Sequence, residues 1–327
     1  MKKKVSAFLI VIALLLIMFL VSISVGSVSV SFADIVDAVF RGAGGSGGIV
    51  RDIRIPRVII GVLVGANLSV AGVLLQGVMG NPLADPGITG ISSGASVIVM
   101  IVMLYFPGAA SHIPLLGFLG GIIACTLIYM LAWRNGITAI RIILAGVAVN
   151  AVLGGVSSMI SILNSDQLTG VLSWMSGNLG KKSWGEVRMI SFYTAIGLLF
   201  AMPLCKSCNM LALGDKNAKS LGYNPNVLRI VISLVAVFLA GISTAYAGVI
   251  SFIGLVVPHI SRMLMGSDHK VLLPFSALLG STLLLLADTL GRTITAPFEI
   301  PVGVVMTIIG GPFFLYLLRK DQKIYGH

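Results

Sequence analysis

Charge is what this sequence has least of. Asp, Glu, Lys and Arg make up 10% of its 327 residues, against about 25% in soluble domains. Hydrophobic residues make up 57%, and the mean hydropathy is +1.04. Water cannot solvate a surface that apolar, so lipid must be its solvent. The length allows about ten spans of roughly 20 residues with their loops. Acids are scarcer than bases, 11 against 22, for a net charge of +11. In a soluble chain that balance would suggest nucleic acid. Here the bases sit mainly between apolar runs, with no RNA-binding motif and no basic helix interleaved with aromatics. Orientation in a membrane is the simpler cause, and no nucleic-acid partner is expected.

Cysteine is nearly missing as well. Cys125, Cys205 and Cys208 give no disulfide framework. Cys205 and Cys208 have redox-motif spacing without the surrounding βα pattern, and read as reduced thiols. Carboxylates are almost absent from the apolar runs, Asp288 being the main exception. An ion-coupled carrier acting alone needs such groups at mid-membrane, which disfavours that alternative. No run carries repeated arginines, and there is no filter sequence of the TVGYG type. His112, His259, His269 and His327 do not share one-turn spacing, so no metal site, cofactor or catalytic residue is expected. Residues 176–182 faintly resemble a phosphate loop but fail it twice: Met175 stands at the first glycine position and Lys182 at the Ser/Thr position. Active transport by this chain would therefore need a separate ATPase on the cytosolic face.

What is there is a succession of apolar runs. They fall near 5–25, 57–80, 88–106, 114–133, 141–163, 188–205, 228–248, 249–265, 271–291 and 301–318. Lys2, Lys3 and Lys4 precede a run too long for a leader peptide, so it reads as a retained first span. The expectation is an all-α, polytopic membrane protein forming one domain over 1–327. Its basic residues favour both termini in the cytosol. The eighth run is short and carries Pro258, His259 and Arg262, which suits a partly re-entrant segment. The glycine-rich stretch 41–48 reads as a flexible outside loop.

Four arginines break the charge rule. Arg51, Arg54, Arg57 and Arg292 fall outside, at the mouths of spans. They either anchor helix ends or dock an acidic partner; charge alone does not choose. Asp288 stands four residues before Arg292, within reach of a local pair.

Small residues recur every fourth position: Gly61, Gly65 and Ser69, then Gly146, Asn150, Gly154 and Ser158. Such faces serve close helix packing in lipid or line a conduit for a bulky solute. The turn Asn81-Pro-Leu83-Ala-Asp-Pro-Gly87 is rigid. In the segment 211–223, Asp215 is placed to cap a short helix that carries Ala218 and Leu221 and ends at Gly222. That helix is a plain connection or a plug for a partner's socket.

An ordered set of short motifs now accumulates: Arg54-Ile-Pro-Arg57, Gly65-Ala-Asn-Leu-Ser-Val-Ala-Gly72, Asn81 to Gly87, Gly90-Ile-Ser-Ser-Gly-Ala95, Leu144-Ala-Gly146, Trp174-Met-Ser-Gly177. It continues with Leu213-Gly-Asp215, Ala218-Lys-Ser-Leu-Gly222, Phe252 to His259, Leu286-Ala-Asp288 and Gly310-Gly-Pro-Phe313. This set resembles the FecCD family of permeases, which serve ABC importers of iron-siderophores, haem and vitamin B12. The resemblance implies a vitamin B12 permease-like fold (a type II ABC importer) of ten helices. It implies a permease dimer, of two copies or with a paralogue, two ATP-binding subunits on the cytoplasmic face, and an extracytoplasmic binding protein. By the same resemblance Arg54, Arg57 and Arg292 meet acidic residues of that binding protein. Leu211, Leu213, Gly214, Asp215, Ala218, Leu221 and Gly222 couple to the ATPase. Asn81 and Leu83 form part of the cytoplasmic gate. Gly146, Asn150 and Gly154 are the candidates for the translocation path.

Overall fold

The computed structural model describes residues 2–26, 46–134, 136 and 138–325. Helix α1 spans Lys2–Ser24; at 1.5 Å per residue it covers roughly the thickness of a hydrocarbon core. The chain returns through a one-turn helix at Ser46–Ile49 and a wider, π-type turn at Val50–Arg54. These lead into α2, Ile55–Met79. Pro56 sits in the first turn of α2, where a missing N–H costs nothing. Gly80 ends the helix in the left-handed conformation, its N–H donating to the Gln76 carbonyl. The stretch 41–45 lies outside the described residues; from Ser46 the expected glycine-rich loop has already become helix.

Next come α3 (Ile91–Tyr105), α4 (Ile113–Ala132), α5 (Ala139–Leu163) and the short α6 (Thr169–Met175). A capping box opens α7, Trp184–Ala201: Ser183 Oγ accepts from the Glu186 N–H while the Glu186 carboxylate accepts from the Ser183 N–H. After α7 the chain bends by 49° into α8, Leu204–Ala212. The run expected to stop at 205 instead breaks at Pro203, which cannot continue the hydrogen-bond ladder, and then carries on. Helix α9 is Asp215–Ser220. Helix α10 is Pro225–Ala247, capped by the Asn224 side chain. The last three are α11 (Ile253–Met265), α12 (His269–Thr293) and α13 (Val302–Tyr325).

Six of these helical stretches are long and apolar enough to cross a membrane, α7 with α8 makes one bent pair, and α3, α11 and part of α13 are shorter apolar helices. Together they match the ten apolar runs of the sequence, in order. The eighth of them, α11, spans 13 residues and contains Pro258.

Helix α2 is the axis of the bundle. Its apolar window is 83% buried, against 17% for α1 and for α5. It is held by backbone approach rather than by large side chains. A Cβ at Gly65 would overlap the Gly280 carbonyl of α12, and one at Gly72 would overlap the Gly254 carbonyl of α11. Ser69 Oγ donates to the Gly65 carbonyl within α2. Lipid gives helices no hydrophobic reason to associate, so close van der Waals packing must do it, and small residues permit that. On α2 the four-residue pattern is therefore a packing device.

Helices α3 and α5 run side by side in the same direction. Asn150 Nδ2 donates to the Gly87 carbonyl just before α3, at 3.1 Å, and Asn164 Nδ2 donates to Tyr105 Oη at its far end, at 2.8 Å. The bundle so acquires two distinct ends. One gathers the C-termini of α1 and α12 with the start of α2. The other gathers the 80–90 turn, α9 and the start of α10.

Candidate functional site

At the first end, three arginines converge. Arg57 Nη2 lies 2.8 Å from Asp288 Oδ1, with Arg57 Nε 3.1 Å from Oδ2. Arg57 Nη1 reaches Glu299 Oε2 at 2.7 Å. Arg292 Nε sits 3.1 Å from Asp288 Oδ2, an ion pair without hydrogen-bond alignment. The local Asp288–Arg292 pair expected from the four-residue spacing is present.

The remaining donors go to the C-terminus of α1. Arg54 Nη1 donates to the carbonyls of Ile23 and Ser24, at 2.7 and 2.9 Å. Arg292 donates to those of Ser22 and Val25, at 3.0 and 3.2 Å. The last carbonyls of a helix have no partner within it, and its C-terminal end carries partial negative charge. Two guanidinium groups satisfy both needs here. Arg54, Arg57 and Arg292 are accordingly buried, 6%, 8% and 3% exposed. Their side chains turn into the protein, where the carbonyls and Asp288 hold them. Among the described residues, the exposed cations of this end are Arg51, Lys181 and Arg188; Trp184 Nε1 ties the start of α7 to the Arg51 carbonyl at 3.0 Å.

At the second end, the turn after α2 is built by its own side chains. Asn81 Oδ1 accepts the Leu83 N–H at 2.9 Å, and Asp85 Oδ1 accepts the Gly87 N–H at 2.8 Å. Leu83 is exposed, and Asn81 half-buried. Beside it stands the α8–α9 segment. Asp215 does not cap α9: the N-cap is Gly214, with no side-chain bond, and Asp215 is the first helical residue. Its carboxylate instead takes both ends of the Arg229 fork, at 2.8 and 3.1 Å. Arg229 also donates to the Val78 carbonyl at 3.3 Å, which ties α9 and α10 to α2. Leu211 and Ala218 are buried, whereas Leu213 and Leu221 are 49% and 57% exposed. Gly214 and Gly222 both take positive φ, 88° and 83°, and end the neighbouring helices as glycine readily does.

Between the ends lies a cavity of about 530 Å³, walled by α3 and α5. Six serines line it: Ser92, Ser93 and Ser96 from α3, and Ser157, Ser158 and Ser161 from α5. Of the three path candidates the cavity takes one. Gly154 lines it, and a Cβ there would meet nothing within 4 Å. Gly146 packs directly on the Ile88 carbonyl, and Asn150 braces the Gly87 turn. Sequence reading missed the serines of α3. Their doublet at 92–93, repeated at 157–158, was the available signal. A larger cavity, of about 630 Å³ between α4 and α10, is mostly apolar and contains the Tyr129–Ser233 hydrogen bond of 2.6 Å. Among the described residues no group of three or more His, Cys, Asp or Glu is placed to hold a metal ion.

A many-helix bundle with an uncharged, polar chamber between its ends is the architecture of a membrane transport protein. Residues 14–320 match the model of the FecCD transport family, and the chain belongs to that family. It is 40% identical to the Fe(3+)-citrate import system permease protein YfmD of Bacillus subtilis, covering 99% of this chain and 98% of the relative. It is 38% identical to the iron(3+)-hydroxamate import system permease protein FhuG of the same organism, covering 98% and 99%. Among solved structures, a metal-chelate type ABC transporter in an inward-facing conformation superposes with a TM-score of 0.85 at 26% identity, over 97% of this chain and 99% of that one. The chain is thus a permease subunit of an ABC importer: a transport component that works with ATPase and binding-protein partners, and not an enzyme.

Proposed function

We propose that this permease carries a ferric chelate into the cytoplasm across a bacterial or archaeal plasma membrane, with both termini cytoplasmic. The observation that carries the proposal is the chamber between α3 and α5, which is wide, polar and without charge. It sits in a family whose relatives import iron as citrate and hydroxamate complexes. The arginine-rich end faces outward and receives the binding protein. Arg54, Arg57 and Arg292 hold the rim, and the exposed Arg51, Lys181 and Arg188 offer charge to an acidic partner. At the opposite end, Leu213 and Leu221 project from a segment fixed by the Asp215–Arg229 pair. That suits a plug for the ATPase, with Asn81 and Leu83 at the exit beside it. The little-buried α5 leaves Ile140, Leu144, Val147 and Val152 exposed, which suits a dimer with a second copy or a paralogous permease.

Cells lacking this gene, and lacking redundant importers, test the reading with labelled iron supplied as several chelates. Loss of uptake of one chelate, restored by the wild-type gene, is the expected result. Unchanged uptake of all of them would remove iron chelates as the cargo.

A further inference from the structure

The cavity between α4 and α10 is separate from the serine chamber and opens on the outside of the bundle. Met130 of α4 and Leu234 of α10 line it and are both exposed. Its inner wall is closed by buried Cys125 and Val237, and the Tyr129 hydroxyl donates to that of Ser233. What it offers an occupant is therefore mostly apolar surface. Phe118 and Phe238 shut one end edge to face, their ring centroids 6.0 Å apart. Trp133 and Ile230 stand at the other, where α4 ends and α10 begins.

The groove has the length of a lipid tail. Its lining runs from Ile230 to Phe238 on α10 and from Phe118 to Trp133 on α4, about 12 and 22 Å at 1.5 Å per residue. One leaflet of the hydrocarbon core is about 15 Å deep. Its mouth lies at Trp133, and tryptophan is enriched at the level of lipid headgroups.

The charge beside that mouth is of one sign. Arg134 directly follows Trp133, is exposed, and makes no side-chain hydrogen bond or ion pair among the described residues. Arg141 Nη1 donates to the Arg134 and Gly136 carbonyls, which holds the turn. Gly136 packs against the Asn226 side chain, so the turn sits over the start of α10. No Asp or Glu occurs between Asp85 and Asp166, and none within α10. Asp215, at the same end of the bundle, is already gripped by Arg229. An excess of bases at a cytosolic face orients any membrane protein, but it does not require an apolar groove beneath them. Two cations without an internal counter-charge, at the mouth of a groove one chain long, suit a molecule with an anionic head and an apolar tail.

We infer that the α4–α10 groove binds an anionic phospholipid of the cytoplasmic leaflet, with one acyl chain along the groove and the headgroup at Arg134 and Arg141. This goes beyond the permease reading and takes from it only which end of the bundle faces the cytoplasm.

The test is native mass spectrometry of the full importer, permease with its ATPase, released from micelles that hold equal amounts of phosphatidylglycerol and phosphatidylcholine with identical acyl chains. The permease should retain phosphatidylglycerol at least about five-fold over phosphatidylcholine. R134Q should lower that preference about five-fold, the weight of one basic residue at an anionic surface. L234W puts a larger side chain into the groove and should lower retention of both lipids. Arg134 and Leu234 are exposed, so neither change disturbs the core. Equal retention of the two lipids by the wild-type protein would overturn the inference without any variant. So would a preference that survives in R134Q, or retention that L234W leaves unchanged. Oxidation of M130C in membranes tests the rival occupant: cross-linking of two copies would give the groove to a second permease and overturn the lipid site. None of these results touches the permease reading, which the uptake experiment tests by itself.

Discussion

Arg57 reaches Asp288 across 231 positions of sequence and grips both oxygens of its carboxylate. Asp288 is 2% exposed, and the Arg57 side chain 9%. Two buried charges are tolerated because each answers the other, with Glu299 and Arg292 completing the set. Removing one member should cost about 3–5 kcal/mol, because it strands the other. R57A and D288A are each expected to lower the unfolding temperature of the detergent-solubilised protein sharply. R57A/D288A should lose much less than the sum of the two. Additive losses would show that the pair is not coupled.

The same end of the bundle is tied to α1 by Arg54 and Arg292. Ser22 Oγ and Thr289 Oγ1 lie 2.6 Å apart, and Arg292 bridges the two helices beside them. S22C/T289C should therefore cross-link under mild oxidation, as two thiols at neighbouring positions do when their Cβ atoms approach closely. Adding R292A should reduce the cross-linked fraction by freeing the end of α1. Cross-linking that is absent from the first variant, or unaffected by the second, would contradict the capping role.

Helix packing makes an asymmetric prediction about glycine. At Gly65 an added Cβ meets the Gly280 backbone, whereas at Gly154 it meets open space. G65A should deplete folded protein in the membrane, since backbone cannot yield as a side-chain tip can. G154A should leave abundance within about two-fold, the ordinary range for a surface change. Quantitative immunoblotting of membranes separates the two. Equal abundance would mean that α2 and α12 are not in backbone contact.

Coupling to the ATPase should run through the two exposed leucines. Leu213 and Leu221 stand outside while Leu211 and Ala218 are buried. L213D/L221D should leave the permease folded, because neither side chain supports the core. It should lower co-purification with the ATPase and substrate-stimulated ATP hydrolysis by about ten-fold, as loss of two apolar anchors implies. Full coupling in that variant would place the ATPase contact elsewhere.

The spans were legible because burial in lipid leaves one dominant signal, a run of apolar residues. The bend after Ala201 was half-legible, Pro203 marking it without giving its angle. The α1 contacts of Arg54 and Arg292 were not legible. Their position in the sequence placed them at span mouths, but the carbonyls they hold lie some 30 to 270 residues away, and no local pattern encodes such contacts. Asp215 was misread for the same reason. Its spacing suits a cap, yet Arg229 lies within reach and an ion pair with a guanidinium fork is the stronger bond. The chamber was visible from one side only. Gly154 and Ser158 lay on a recognised face of α5, whereas Ser92, Ser93 and Ser96 join them only once α3 is seen to run alongside.

Reconstitution tests the central claim most directly. The permease would be placed in liposomes with its ATPase, the binding protein and labelled ferric chelate outside, and ATP inside. Accumulation should require ATP and the binding protein, and should persist when ionophores collapse every ion gradient. Uptake that proceeds without the ATPase, or that stops when the gradients are collapsed, would contradict an ATP-driven permease and point to an ion-coupled carrier.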